Sequence, residues 1–225
     1  MNGLLLAVPP GERRLARQTF ARCPQLALPA GAVLSELGPW NSKLLVVDQG
    51  VVALVAAGGS HHQTVIALAR QGDVFGPPTR EEHVRALTAA RVIAVPPDAY
   101  ERLLRIPGVA VALLESLLEA LDKRQQTLAG IRDNHAERLQ ETLYRLARDH
   151  GKVRAEGVEI DLPLTHELLA QMVGSARETV TCTLGRFQRD GLLVRNGRTY
   201  RLIVAPELLE AAATTDGHSP ATRTH

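Results

Sequence analysis

Short apolar runs punctuated by glycine fill the first half of the chain, and longer helical periods fill the second. Residues 33–34, 44–47, 51–55 and 65–68 are β-branched or aliphatic runs, cut by Gly31, Gly38, Gly50, Gly58-Gly59 and Gly72. Turn residues about every 8–12 positions predict an antiparallel sandwich or barrel from Leu28 to about Val95, rather than alternating βαβ units. A weakly amphipathic stretch near residues 15–20 predicts a short helix or arm before it, and Pro96-Pro97 closes the region.

Leu114, Leu117, Leu121, Leu128 and Ile131 then recur at a and d spacings of a heptad, with Arg124 interrupting one d position. About three heptads suit a short coiled coil, so these five residues are expected to form a seam with a second copy. The plainer alternative is a helix packed on its own domain. A second helix over 136–148 has Leu139, Leu143, Leu146 and Ala147 on one face and stops at His150-Gly151. Residues 158–162 alternate as a strand. Residues 214–225, rich in Thr, Ser, Pro and Gly, predict a disordered tail.

The strongest local signal lies between Thr165 and Gly191. Thr165 suits the N-cap of a helix whose Leu168, Leu169, Met172 and Val173 share one side, and Gly174 suits a tight turn between crossing helices. Ser175-Ala176-Arg177-Glu178 has the S-x-x-E spacing of a capping box. In the helix it would open, Val180, Leu184 and Phe187 recur at i, i+4 and i+7. At about 100° per residue, Glu178, Cys182 and Arg189 fall opposite them, with Thr181 and Gly185 beside. Arg177, in the first turn, reaches past the helix end. Asn196-Gly197 between two alternating runs predicts a hairpin with a type I′ turn. Two helices at a tight turn plus a hairpin make a winged helix. Six arginines (177, 186, 189, 195, 198 and 201) face Glu167, Glu178 and Asp190, a local excess of positive charge in a chain of net charge +2. Arginine without lysine suits forked contacts to phosphates and guanine edges.

The run Leu164-Thr165-His166-Glu167-Leu168-Leu169-Ala170, continued by Val173-Gly174-Ser175-Ala176-Arg177-Glu178-Thr179-Val180, resembles the helix-turn-helix of the CRP/FNR family of bacterial regulators. The glycines at 38, 50 and 72, with Gly72-Asp73-Val74-Phe75-Gly76, fit that family's β-roll. The resemblance implies an α+β chain in four parts. These are a cyclic-nucleotide-binding-like antiparallel β-roll (1–107), a long dimerisation helix and hinge (108–134), a winged helix-turn-helix (135–213) and the tail (214–225). It implies a homodimer on a roughly palindromic double-stranded DNA site, with RNA polymerase as a further partner. Arg177 and Glu178 would read base edges, with Thr181 and Cys182 beside them. Thr165, His166, Ser175, Thr179, Arg189, Arg195 and Arg198 would hold phosphates. Many family members carry a basic residue where this chain has Cys182, so a different half-site is expected.

The same resemblance sharpens what the roll lacks. Cyclic-nucleotide-binding members follow Phe-Gly with a Glu, a short helix and an Arg-Ser or Arg-Thr pair that hold the cyclic phosphate. Here Phe75-Gly76 is followed by Pro77-Pro78-Thr79-Arg80-Glu81-Glu82-His83. Two prolines remove two donors, the segment is too short for the helix, and the two glutamates repel a phosphate. Arg80 is at most a remnant, and control by cyclic nucleotide is not expected. Another small-molecule effector in a reshaped pocket is one alternative, and a protein-docking winged helix without DNA affinity is another.

Composition removes further classes. Two cysteines, Cys23 and Cys182, are too few for an iron–sulfur sensor or a cysteine-ligated zinc, and they suit a reducing compartment. His61-His62 reads as a polar strand start rather than a haem or metal site. Cys182 among arginines suggests a redox switch, but a small residue tolerated at a groove-facing position is the simpler reading. Leu4 to Val8 is too short for a signal peptide or membrane helix, which predicts a cytoplasmic protein. No nucleophile–base pair or phosphate loop suggests an enzyme, and no cofactor is expected.

Overall fold

The computed structural model describes residues 2–35, 42–57, 63–129, 134–197 and 199–203. The chain divides into two compact units, 1–131 and 132–225.

The first unit opens with helices α1 (Asn2–Ala7) and α2 (Pro10–Ala21). Eight strands follow: β1 (Gln25–Leu28), β2 (Val33–Ser35), β3 (Leu44–Gln49), β4 (Val51–Ala57), β5 (Gln63–Arg70), β6 (Val74–Phe75), β7 (Glu82–Ala86) and β8 (Ala90–Val95). Helices α3 (Pro97–Leu104) and α4 (Pro107–Ala129) complete it. The strands form two antiparallel sheets, in the orders β1-β8-β3-β6 and β2-β7-β4-β5. This is the β-roll expected from the glycine-punctuated runs. The short helix expected near residues 15–20 is α2, and α1 precedes it.

Strand alternation explains where the core sits. Leu45 and Val47 of β3, Phe75 of β6, and Val92 and Ala94 of β8 face the roll interior with Leu28, Val52, Val84 and Ala86. Their neighbours Leu44, Val46, Val74, Ile93 and Val95 face the other way, into a second core built with Leu4, Leu5, Phe20, Leu103 and Leu113 of the helices. A sheet covered on both faces needs apolar residues at successive positions, and 44–47 and 92–95 are such runs. Gly50 turns β3 into β4 at φ +78, where a side chain would meet the backbone of Ala89 and Ala90.

The second unit contains α5 (His135–His150), β9 (Gly151–Arg154), β10 (Gly157–Ile160), α6 (His166–Val173), α7 (Arg177–Arg189), β11 (Leu193–Asn196) and β12 (Thr199–Leu202). Asn134 caps α5 by accepting the Ala136 N–H at 3.3 Å. The apolar stripe expected on α5 is buried at Leu139, Leu143, Leu146 and Ala147. The strands form one antiparallel sheet in the order β11-β12-β10-β9. Among the described residues no helix is long and apolar enough to cross a membrane.

Candidate nucleic-acid interface

Helix α6 begins where Thr165 Oγ1 accepts the Leu168 N–H at 3.0 Å. It ends at Gly174, whose φ of +59 is the left-handed conformation that glycine adopts without a Cβ penalty. The Ser175 N–H returns to the carbonyl of Ala170 at 3.0 Å and closes the turn. That closure overturns the expected capping box. Ala176, not Ser175, stands at the N-cap of α7, and no side chain caps the helix. Ser175 is spent on the turn, so α7 starts one residue later than the S-x-x-E spacing implies.

Helix α7 buries Val180, Leu184 and Phe187, as their spacing predicts. Arg177, Glu178, Thr179, Thr181, Cys182 and Arg189 are all exposed. Arg186 is exposed too, with its guanidinium 5.8 Å from the Phe187 ring centre. The wing follows. Its register pairs Asn196 with Thr199, so the two-residue turn begins at Gly197, one position later than the Asn-Gly dipeptide suggests. Gly197 has φ +61, and Arg195 Nε donates to its carbonyl at 3.0 Å. Arg198 lies outside the described residues.

Arg177, Arg186, Arg189 and Arg195 have no carboxylate partner among the described residues, whereas Arg201 meets Glu156 at 3.2 Å. Four guanidiniums without a carboxylate partner, on one helix and the adjoining hairpin, concentrate positive charge without internal neutralisation. Polyanions bind such surfaces.

Two of the predicted phosphate contacts are already engaged. Thr165 accepts its capping hydrogen bond but keeps a hydroxyl proton to give. His166 is half-buried, with Nδ1 2.8 Å from Thr181 Oγ1 and Nε2 3.0 Å from Tyr200 Oη. Burial lowers its pKa, helped by the positive charges of Arg195 and Arg177. Burial raises the pKa of Tyr200, against a smaller opposing effect from Arg195. This network was not legible in the sequence, because its members are 15 and 34 residues from His166.

Residues 137–212 match the family model of a Crp-like helix-turn-helix domain. Over 170 residues the chain is 31% identical to the regulatory protein CysR of Synechococcus elongatus, covering 72% of this chain and 77% of CysR. The chain belongs to the CRP/FNR family. It is a DNA-binding transcription regulator of that family. A CooA variant from Carboxydothermus hydrogenoformans shares the fold, with TM-score 0.72 and 22% identity over 87% of this chain and 90% of that one. A CRP/FNR-family regulator from Thermus thermophilus does so with TM-score 0.64 and 24% identity, over 86% and 100%.

In the first unit of this CRP/FNR regulator, α4 carries two apolar faces. Leu113 is buried in the roll's helical layer, and Leu117 is half-buried against it. Val111, Leu114, Leu118 and Leu121 are each more than half exposed and recur at i, i+3, i+7 and i+10. The exposed stripe therefore includes Leu114 and Leu121 of the expected seam but replaces Leu117 with Leu118 and extends back to Val111. The reason is local: in each Leu-Leu pair, consecutive residues lie about 100° apart, so one turns to the core and the other to solvent. The Leu128 side chain and Ile131 lie outside the described residues, as do His61-His62. No cluster of metal ligands occurs among the described residues.

Between β6 and β7 the chain crosses residues 76–81 without a helix. The crossing is closed by Glu82, whose N–H donates to Thr79 O at 3.1 Å and whose carboxylate accepts the Thr79 N–H at 3.2 Å.

Proposed function

We propose that this regulator binds a roughly palindromic DNA site as a homodimer and does so without a cyclic nucleotide. The observation that carries the reading is the outward face of α7, where Arg177 and Glu178 stand exposed in the first turn above a fully apolar inner face. A helix in that arrangement enters a major groove with its N-terminal residues against base edges. Arg177 matches guanine O6 and N7, and Glu178 matches cytosine N4. Thr181 and Cys182 line the same face. Thr165, Ser175, Thr179, Arg189, Arg195 and Arg198 approach phosphates and fix register.

The exposed stripe of α4 supports the second copy. Four large aliphatic side chains at heptad spacing on one helix are a costly surface to leave in water, and a coiled-coil seam buries them. The absence of cyclic-nucleotide control rests on the crossing between β6 and β7. Glu82 takes an N–H there that a phosphate would need, and its charge opposes an anion. The regulator acts in the bacterial cytoplasm, recruiting or occluding RNA polymerase.

Selection of binding sites from random DNA by the full chain, with and without cyclic AMP, tests this reading. The expected result is two inverted half-sites about 34 Å apart, unchanged by the nucleotide. A single half-site would overturn the dimer. A site recovered only with cyclic AMP would overturn the reading of the roll.

A further inference from the structure

His166 joins three elements of the winged-helix unit through a set of protons that can be placed by accounting. Thr181 Oγ1 donates its one proton to the carbonyl of Arg177 at 2.8 Å. Toward the imidazole 2.8 Å away it can then only accept, so Nδ1 must carry a proton. In the neutral ring the other nitrogen is a bare acceptor, and the Tyr200 hydroxyl lies 3.0 Å from it. The chain of donors runs Tyr200 Oη–H to Nε2, Nδ1–H to Thr181 Oγ1, and Thr181 Oγ1–H to the Arg177 carbonyl. Every proton has an acceptor. Tyr200 is almost wholly buried (1% exposed), so its hydroxyl has little access to water. A charged ring would donate from both nitrogens and would oblige Tyr200 to accept and redirect its own proton. It would also add a third positive charge near Arg177 and Arg195.

The path of this network matters more than its energy. It starts on wing strand β12, passes through the first residue of α6, and ends on the first turn of α7 at the backbone of Arg177. We propose that His166 is a positioning residue, a neutral Nδ1–H imidazole that fastens the wing to the reading helix and so sets the direction in which Arg177 leaves it. It takes this role in place of the phosphate contact expected from its position at the start of α6. The inference rests on the reading of Arg177 as a base contact, and it assigns Tyr200, a buried wing residue, an effect on sequence discrimination.

Two measurements on the full chain test it. Nitrogen-15 NMR of the histidine side chains in the free protein should show His166 neutral at pH 7, protonated at Nδ1 and bare at Nε2. A charged ring, or the opposite tautomer, would overturn the proposal without reference to DNA. The second measurement is a cycle of His166→Phe, Tyr200→Phe and the double variant, titrated with the selected site and with random DNA across a range of salt. Each single change should weaken the selected site by about three- to tenfold, and the double change should be no worse than either, as for residues in one network. Random-DNA affinity and the salt slope should stay as in the wild-type chain. Tyr200→Phe without effect, with His166→Phe flattening the salt slope by about 0.9, would make His166 a phosphate contact and sink the tether. Tyr200→Phe removes a single oxygen, and its thermal unfolding midpoint checks that a loss of discrimination is not a loss of fold. If the coupled loss appears while Arg177→Ala leaves discrimination intact, the base-reading role of Arg177 falls and the tether between wing and helix stands.

Discussion

In the roll, β3, β6 and β8 bury both faces, Leu45, Val47, Phe75, Val92 and Ala94 inward and Leu44, Val46, Val74, Ile93 and Val95 against helices. In the winged-helix unit, α7 buries three residues and exposes eight of its thirteen. Side chains of these strands are therefore spent on packing, and those of α7 are held ready for a partner. The difference shows in charge as well. The exposed arginines of α7 and β11 lack internal carboxylates, while Arg91 of the roll is paired with Asp48 at 2.5 Å and Arg102 of α3 with Asp98 at 2.9 Å. A cation neutralised by its own chain, as Arg91 is by Asp48, has little left to offer an anionic ligand. The unneutralised arginines of α7 and β11 stay poised for one.

The contrast can be attacked at its strongest point first. Phe75→Ala should cost about 3–5 kcal/mol of stability by emptying a filled interior, read as a lower denaturant midpoint, while the folded fraction keeps its DNA specificity. A loss below about 1 kcal/mol would mean the interior was already open enough to accommodate a ligand. Arg177→Ala should lower specific affinity by about 1–3 kcal/mol and relax preference at one base pair, in quantitative binding to single-base variants of the selected site. Equal weakening on random DNA would remove it from the reading face. Thr165→Ala should lower stability by about 1 kcal/mol in thermal unfolding through loss of the α6 cap. If stability is unaffected, the capping hydrogen bond is not what holds that helix start. Smallest of all, saturating cyclic AMP should leave the unfolding midpoint where it is. A ligand at a hundred times its dissociation constant would add about 2.7 kcal/mol, so a clear upward shift would reopen the roll as a sensor.

What was legible in the sequence follows physical range. Helix α7, the turn at Gly174 and the stripe on α5 depend on residues within a few positions of one another, and their periods survive in one dimension. The roll was legible as a texture, because glycines and aliphatic runs mark strands, but its register and sheet order depend on distant pairings such as Leu28 with Ala90. Strand β9 was missed because all four of its residues are exposed, leaving no apolar alternation to read. The capping box failed for a subtler reason. The motif scores Ser175 and Glu178 without knowing that the Ser175 N–H closes the preceding turn on Ala170. On α4 Leu114 and Leu121 of the expected seam lie on the exposed stripe and Leu117 does not, since adjacent leucines give a one-dimensional reading no way to say which faces inward. Among the candidate site residues, exposure on α7 followed from periodicity. The engagement of His166 could not, because only folding brings Tyr200 and Thr181 to it.

The two-faced helix α4 also bears on the order of assembly. Its inner face is anchored on its own roll through Val109, Ala112 and Leu113, so the helix does not need a partner in order to form. Obligate dimers often lack a stable folded monomer. In the proposed homodimer, folding would be a one-chain event and pairing a later, concentration-dependent one. The cell would then set how much active regulator it has by how much chain it makes, with occupancy of the proposed palindromic site rising more steeply than the protein level itself.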